Sequence, residues 1–308
     1  MLKEIKSYFS EIKMKKERKN SIFEMLDIKF SEQEKQVYDL LIAAHSIEKR
    51  MCILNERSDK KFILKLVSNL MLLLHNGYNP TCYEIAESTS ILYHVCKECN
   101  FEEEVNKLKT VIDEYSIPSV AVGLKDCSSV QENDALKEFI STRRSIRWFE
   151  DKLVPVGIIK EVVSLANTAP SACNRQPNKV YYSTTKEGND LMRTCVPDRL
   201  VSKNIYNFFV VTGNRKLFKN AEVMQIYVNG GIFVNSLLLS LHAYGLGACA
   251  FQCPINLNPR LKKVLSIDEN EDIICFIGYG YTDTSKQILC ATRRNVDEVA
   301  REIKYGRK

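Results

Sequence analysis

The apolar pattern changes character once along this chain, and that change limits the architectures open to it. Up to residue 118 every apolar run follows the helical period. Ser31 is a natural helix N-cap with Glu34 three residues on, and Val37, Leu40, Leu41, Ala44 and Ile47 continue one apolar stripe. Further helices are expected over about Asp59–His75, Thr81–Cys99 and Phe101–Tyr115, stopped near Gly77, Asn79-Pro80 and Pro118. Residues 119–133, broken by Gly123 and Ser128-Ser129, read as a linker. From residue 134 the pattern is mixed. Helices are expected over Asp134–Ser141, Pro155–Asn167 and Ala221–Tyr244, with strands over Val180–Ser183, Phe208–Thr212 and Ile273–Tyr279. Strands separated by helices without a strict βαβ repeat predict an α+β sandwich over 134–308, behind an all-helical region over 1–118.

Hydrophobic residues at 45% and charged residues at 27% of 308 suit a soluble globular protein. A net charge of +6 without a clustered basic face is no nucleic-acid footprint. The basic start, residues 1–20, reads as a solvated helix, with a docking face of Leu2, Ile5, Tyr8, Phe9 and Ile12 as the sharper alternative. Eleven cysteines and a charged start (Met1–Lys6) fit reduced thiols and a cytoplasmic protein. The most apolar runs, Phe62–His75 and Ile232–Tyr244, are too short for a membrane span. His94, Cys96 and Cys99, with Cys82, have zinc-like elements. They lie on one expected helix with no knuckle turn, so structural cysteines and no metal are expected.

Two stretches carry chemistry. Arg143-Arg144-Ser145-Ile146-Arg147 concentrates three guanidinium groups and a hydroxyl, a donor set suited to phosphate oxygens. Ala169-Pro170-Ser171-Ala172-Cys173-Asn174-Arg175-Gln176-Pro177 is a Pro-bounded loop of small and amide side chains that can lie against a flat heterocycle. Together they describe a mononucleotide cofactor site. Each has a plainer reading, since arginine-rich turns are usually solvated. Cys173 reads as a small filler rather than a redox thiol.

Residues 134–300 resemble the nitroreductase family of FMN-dependent oxidoreductases. The resemblance rests on the two stretches above, on Gly231 and Asn235–Leu239, on Gly245–Cys249 as a turn after a long helix, on Ile277-Gly278-Tyr279, and on Arg293-Arg294. It departs from the family at Asn178, where Trp is common, and at Gly280, where Pro often stands. What it implies is a nitroreductase-like three-layer sandwich, a mainly antiparallel sheet flanked by helices, and a homodimer with FMN at the subunit contact. Arg143, Arg144, Ser145, Arg293 and Arg294 would grip the phosphate and ribityl chain, with Arg147 near the N1/O2 side of the flavin. Pro170, Ser171, Ala172 and Asn174 would line the ring, and the Ala250, Phe251 and Gln252 backbone would meet flavin N5. The implied activity is ping-pong hydride transfer from NAD(P)H through FMN to an organic acceptor, with no acid–base residue required. The alternative is a dimeric scaffold, with or without flavin, that recruits a partner through the helical region. A dehalogenating relative would need a lid, for which Asp190–Tyr206 is the candidate. His45, Glu48 and Lys49 are similar to a His-x-x-Glu-Lys element ahead of nitroreductase domains in some polysaccharide-cluster proteins, and share one helix face as a polar patch or domain contact.

Overall fold

The computed structural model describes residues 31–54, 60–122, 131–219, 222, 224–303 and 305. The basic stretch 1–20 and residues 123–130 of the expected linker lie outside the described residues. Four helices come first: α1 (Glu32–Leu54), α2 (Lys60–His75), α3 (Tyr83–Glu98) and α4 (Glu102–Tyr115). The Ser31 hydroxyl accepts from the Glu34 N–H at 3.2 Å, and the Glu34 carboxylate accepts from the Ser31 N–H at 2.9 Å, so α1 opens on the expected capping box. Leu40, Ala44 and Ile47 of α1 share a core with Leu70 and Leu74 of α2, Leu92 and Val95 of α3, and Leu108 of α4. Cys96 belongs to that core, and Cys82 and Cys99 pack against it. So do Val120 and Val122 of the expected linker, and the Val120 N–H donates to Ser90 Oγ at 3.1 Å.

The mixed part contains α5 (Asp134–Thr142), α6 (Val156–Ala166), β1 (Asn178–Tyr182), α7 (Lys186–Cys195), α8 (Arg199–Ser202), β2 (Asn207–Asn214), α9 (Gln225–Ala243), β3 (Gly247–Gln252), α10 (Asn258–Val264), β4 (Glu271–Gly280) and α11 (Val296–Val299). The strands form one antiparallel sheet in the order β1-β2-β4-β3. Successive side chains on a strand face opposite sides, and here both sides are apolar. Phe209, Val211, Ile277 and Tyr279 point to α6 and α9, whereas Phe208, Val210 and Phe276 point to α7 and α10. A sheet with helices on each face is the expected three-layer α+β sandwich.

The turn expected over Gly245–Cys249 is shorter in the structure, because the chain passes almost directly into β3. Gly245, at φ +69, ends α9, with the Leu246 N–H on the Leu241 carbonyl at 2.9 Å. Gly247, Ala248 and Ala250 carry no β-branched signal, so periodicity alone did not show this strand. Pairing to β4 on one side and to Ser145 on the other defines it. The Asp190–Tyr206 segment, the candidate lid of a dehalogenating relative, is the end of α7, all of α8 and the approach to β2.

Helix α9 is longer than the apolar run read from sequence and, by length and composition alone, could cross a bilayer. In this fold its inner face (Ile226, Gly230, Phe233, Leu237, Leu241) is buried against the sandwich. At Gly230 an added Cβ would stand 2.9 Å from both Cγ1 and Cγ2 of Ile274. Those atoms sit on a stiff β-branch and have little room to rotate away. Overpacking of this kind costs about 1–3 kcal/mol, against a helix-propensity gain of about 1 kcal/mol. Gly230→Ala is therefore expected to lower the urea unfolding midpoint, and an unchanged or raised midpoint would show that α9 can shift outward freely.

Candidate functional site

After α5 the chain runs extended along β3. Ser145 bridges Ala248 in parallel, and the Ile146 N–H donates to the Ala248 carbonyl at 3.0 Å. This fixes the arginine loop against the strand. Arg143 and Arg144 border a cavity of about 260 Å³ together with Gly245, Gly247 and Ala248. Arg147 borders another of about 680 Å³ with Asp198, Arg199, Cys249, Ala250 and Gln252. Burial pushes the Cys249 thiol up in pKa, and the Arg147 and Arg143 charges pull against it, which places both guanidinium groups near that sulfur.

None of Arg143, Arg144 and Arg147 is within 4.0 Å of a carboxylate among the described residues, whereas Arg175, Arg193 and Arg215 all are. Arg144 donates instead to the Ser141 and Arg143 carbonyls, and Arg147 to the Ser145 carbonyl at 3.3 Å. Three cations with no carboxylate within ion-pair distance, beside cavities whose one acidic lining residue is Asp198, suit an anionic ligand. Arg293 and Arg294 are exposed, and the Arg293 guanidinium donates to its neighbours' carbonyls at Ala291 and Thr292. Ile288 reaches the smaller cavity, but Arg293 and Arg294 do not border it, and no hydrogen bond joins them to the arginine loop among the described residues.

The Pro-bounded loop is strained and heavily anchored. Cys173, Asn174 and Gln176 have φ of 52°, 52° and 45°. Left-handed backbone at non-glycine residues costs on the order of 1 kcal/mol each and persists only where surroundings impose it. Here the Ser171 hydroxyl accepts from the Gln176 N–H at 2.9 Å, and the Ala172 N–H donates to Asn229 Oδ1 at 2.9 Å. Arg175, only 4% exposed, forks onto Glu222 at 3.0 and 3.3 Å between the rings of Tyr38 and Phe218. Burial opposes ionisation of Glu222, yet hydrogen bonds from Arg175, Tyr38 and the Lys219 backbone hold its pKa down at about 2.

The helical region supplies the remaining anchors. α1 packs on the 172–174 turn. The Asn174 amide donates to Glu87 Oε1 of α3 at 2.5 Å, and the Gln176 amide donates to the Tyr83 hydroxyl. His45 and Glu48 pair at 3.4 Å on α1, and Glu48 is close enough to Glu87 to disfavour its ionisation. Burial is the larger cause, and together they push the Glu87 carboxyl up to about 7. The His-x-x-Glu-Lys element thus lies beside the loop. Sequence reasoning missed Arg175, Glu87, Tyr38 and Tyr83. Arg175 stood between two motif residues as an unassigned position, and the others carry no local signal.

The two stretches do not meet within one chain. The Pro-bounded loop is tied to Asn229 at the start of α9, and the arginine cleft includes Leu238 and His242 at its end. At 1.5 Å rise per residue Leu238 and His242 stand about 14 and about 20 Å along the helix from Asn229. On β3, Ala250 and Gln252 are exposed and the Phe251 ring is buried in the sheet core, leaving Phe251 only its backbone to offer. Among the described residues no group of three His, Cys, Asp or Glu stands close enough to hold a metal ion.

Residues 140–281 match the model of the Nitroreductase family, a segment that ends before Arg293. A 4-nitrobenzoate reductase of Nocardioides sp. (strain LMS-CY) is 24% identical over 217 residues, 53% of this chain and 88% of that protein. Iodotyrosine deiodinase 1 of Sus scrofa is 21% identical over 256 residues, 70% of this chain and 83% of its relative. Among solved structures, a Desulfovibrio desulfuricans protein in complex with FMN has a TM-score of 0.49 at 23% identity, covering 57% of this chain and 100% of that one. An FMN-dependent nitroreductase from Clostridium difficile R20291 has a TM-score of 0.45 at 20% identity, covering 54% and 96%. Residues 140–281 are a nitroreductase-family domain, and α1–α4 stand ahead of it.

Proposed function

We propose that this protein is an FMN-dependent NAD(P)H oxidoreductase that works as a homodimer in the cytoplasm, with residues 1–118 as a helical region, 119–133 as a linker and 134–308 as the cofactor-binding domain. The observation that carries the reading is the arginine loop: three guanidinium groups without carboxylate partners border two cavities beside β3. A terminal phosphate needs that donor set. Arg143, Arg144 and Ser145 would hold the phosphate, with Arg293 and Arg294 closing on it. Arg147 would face the pyrimidine side of the ring, where a fixed cation stabilises negative charge gained on reduction. Bound FMN would supply hydride transfer from NADH or NADPH to an organic acceptor.

Pro170, Ser171, Ala172 and Asn174 would line the ring from the second copy, since the α9 residues that anchor their loop and border the arginine cleft of the same chain lie about 14–20 Å apart along the helix. The outer face of α9 supports that pairing. Met224, Val228 and Ile232 recur every fourth residue and are 63%, 53% and 39% exposed, an apolar stripe opposite the buried face. The Ala250–Gln252 backbone would meet the ring at the larger cavity. Pro197–Val201 border the same cavity, so the candidate lid segment would stand where an acceptor enters.

One observation favours a second reading, a scaffold that recruits a partner through the helical region. The amides of Asn174 and Gln176 are already engaged by Glu87 and Tyr83. Turnover separates the two: protein that holds flavin but reduces neither nitro compounds nor quinones with either nicotinamide would be the scaffold.

Purified protein should be yellow and bleach anaerobically with NADH or NADPH; colourless protein that cannot be reconstituted with FMN overturns the proposal. Arg143→Ala and Arg293→Ala should each weaken FMN binding by about 1.5–3 kcal/mol, read by flavin fluorescence titration. Unchanged affinity in both would remove the phosphate assignment. Co-expression of differently tagged Arg143→Ala and Asn174→Ala chains tests the shared site. The hybrid dimer should bind one FMN per dimer at wild-type affinity, because one of its two sites keeps both residues. A site built within a single chain would leave the hybrid with none.

A further inference from the structure

We propose that Glu87, in the helical region, is a positioning residue for the Asn174 amide, so that α3 completes the wall against which the flavin edge rests. This inference rests on the FMN reading above. Its geometric basis is the Glu87 side chain, 3% exposed, with Oε1 accepting from Asn174 Nδ2 at 2.5 Å and Oε2 buried without a hydrogen-bond partner. The titratable groups facing it are Tyr83 and Glu84 of its own helix and Glu48 of α1, which is itself paired with His45; the loop presents Asn174. No cation is among them. A buried carboxylate held by the Asn174 amide and the Tyr83 hydroxyl, with no cation beside it, is an expensive way to fasten a loop. A glutamine would fasten it as well, so the charge has another use.

That use follows from the two ends of an asparagine amide. An ionised carboxylate can only accept, which turns Nδ2 inward and presents Oδ1 outward. Oδ1 is an acceptor, and the pyrimidine edge of a flavin carries one ring N–H between two carbonyls. A protonated Glu87 can instead donate to Oδ1 and leave the NH₂ outward, facing that N–H with the wrong polarity. Because Glu87 titrates at about 7, both arrangements are populated near neutral pH. The left-handed backbone at Asn174 keeps the Cα in place while the amide end turns over. The wild-type site should therefore bind FMN more tightly as pH rises through 7.

The test uses the full-length chain reconstituted with FMN. FMN dissociation constants and the visible spectrum of the bound flavin are measured from pH 5.5 to 8.5 for wild type, Glu87→Gln and Asn174→Ala. FMN's own phosphate titrates near pH 6 in every protein, so the difference between proteins is the readout. Wild type should gain roughly three- to tenfold in affinity across pH 6–8 beyond that shared background, the worth of one hydrogen bond. Glu87→Gln should lose this extra dependence. Asn174→Ala, at an exposed side chain, should lose it too even if the buried substitution impairs folding. Wild type that binds FMN with the same pH profile as a folded Glu87→Gln, or as Asn174→Ala, overturns the positioning role alone. Wild type that binds no FMN at any pH overturns the FMN reading and this inference with it.

Discussion

One helix sets the geometry from which the rest follows. α9 is nineteen residues of continuous helix, buried along one face against the sheet and apolar along the other. It carries the anchor of the Pro-bounded loop at its start and the wall of the arginine cleft at its end. A helix packed on a sheet neither bends nor shortens, so neither stretch can travel to the other. The exposed stripe at Met224, Val228 and Ile232 is the feature of the same helix that a second copy would cover. In this chain the segregation of the two motifs and the unpaired apolar surface have one origin.

The Pro-bounded loop illustrates how a strained segment is kept. Three left-handed residues within four positions will not hold themselves, and no glycine relieves them. The restraint comes from Arg175, whose guanidinium is enclosed by two aromatic faces and forked onto Glu222. One of those faces, Tyr38, belongs to α1 and also donates to Glu222. The helical region is thus built into the loop's conformation rather than tethered beside it. Glu34–Lys216, half-buried, and Asp39–Lys219 continue the same seam, although an ion pair as exposed as the second contributes little on its own.

How much of this could be read from the sequence depends on how far apart the interacting residues lie. The capping box at Ser31, the four N-terminal helices and both central strands follow from neighbours within a few residues, and were legible. The arginine loop was legible for a chemical reason: three guanidinium groups in five residues have few uses. β3 was not, because Gly247, Ala248 and Ala250 become a strand only through pairing with β4 and Ser145. Glu87 and Asn174 are 87 residues apart and Tyr38 and Glu222 are 184 apart, and nothing near any of them marks a partner. The separation of the two motifs was also invisible, since sequence order says nothing about opposite ends of a helix.

The two carboxylates that hold the loop respond to pH in opposite senses, and this defines what each can do. Glu222 has its pKa lowered on folding, so its stabilising contribution is complete above the ordinary carboxylate value of 4.5 and fades as pH falls toward about 2. Glu87 has its pKa raised, so its contribution is complete below 4.5 and is lost as pH rises through about 7. Between those values Glu222 is constant while Glu87 changes. The backbone of the loop is therefore held by a group that does not titrate in the working range. Its one outward-facing amide is held by a group that does. In the proposed site, a segment arranged this way would alter the polarity of its ligand contact without altering its fold, which a loop anchored by Glu87 alone could not do.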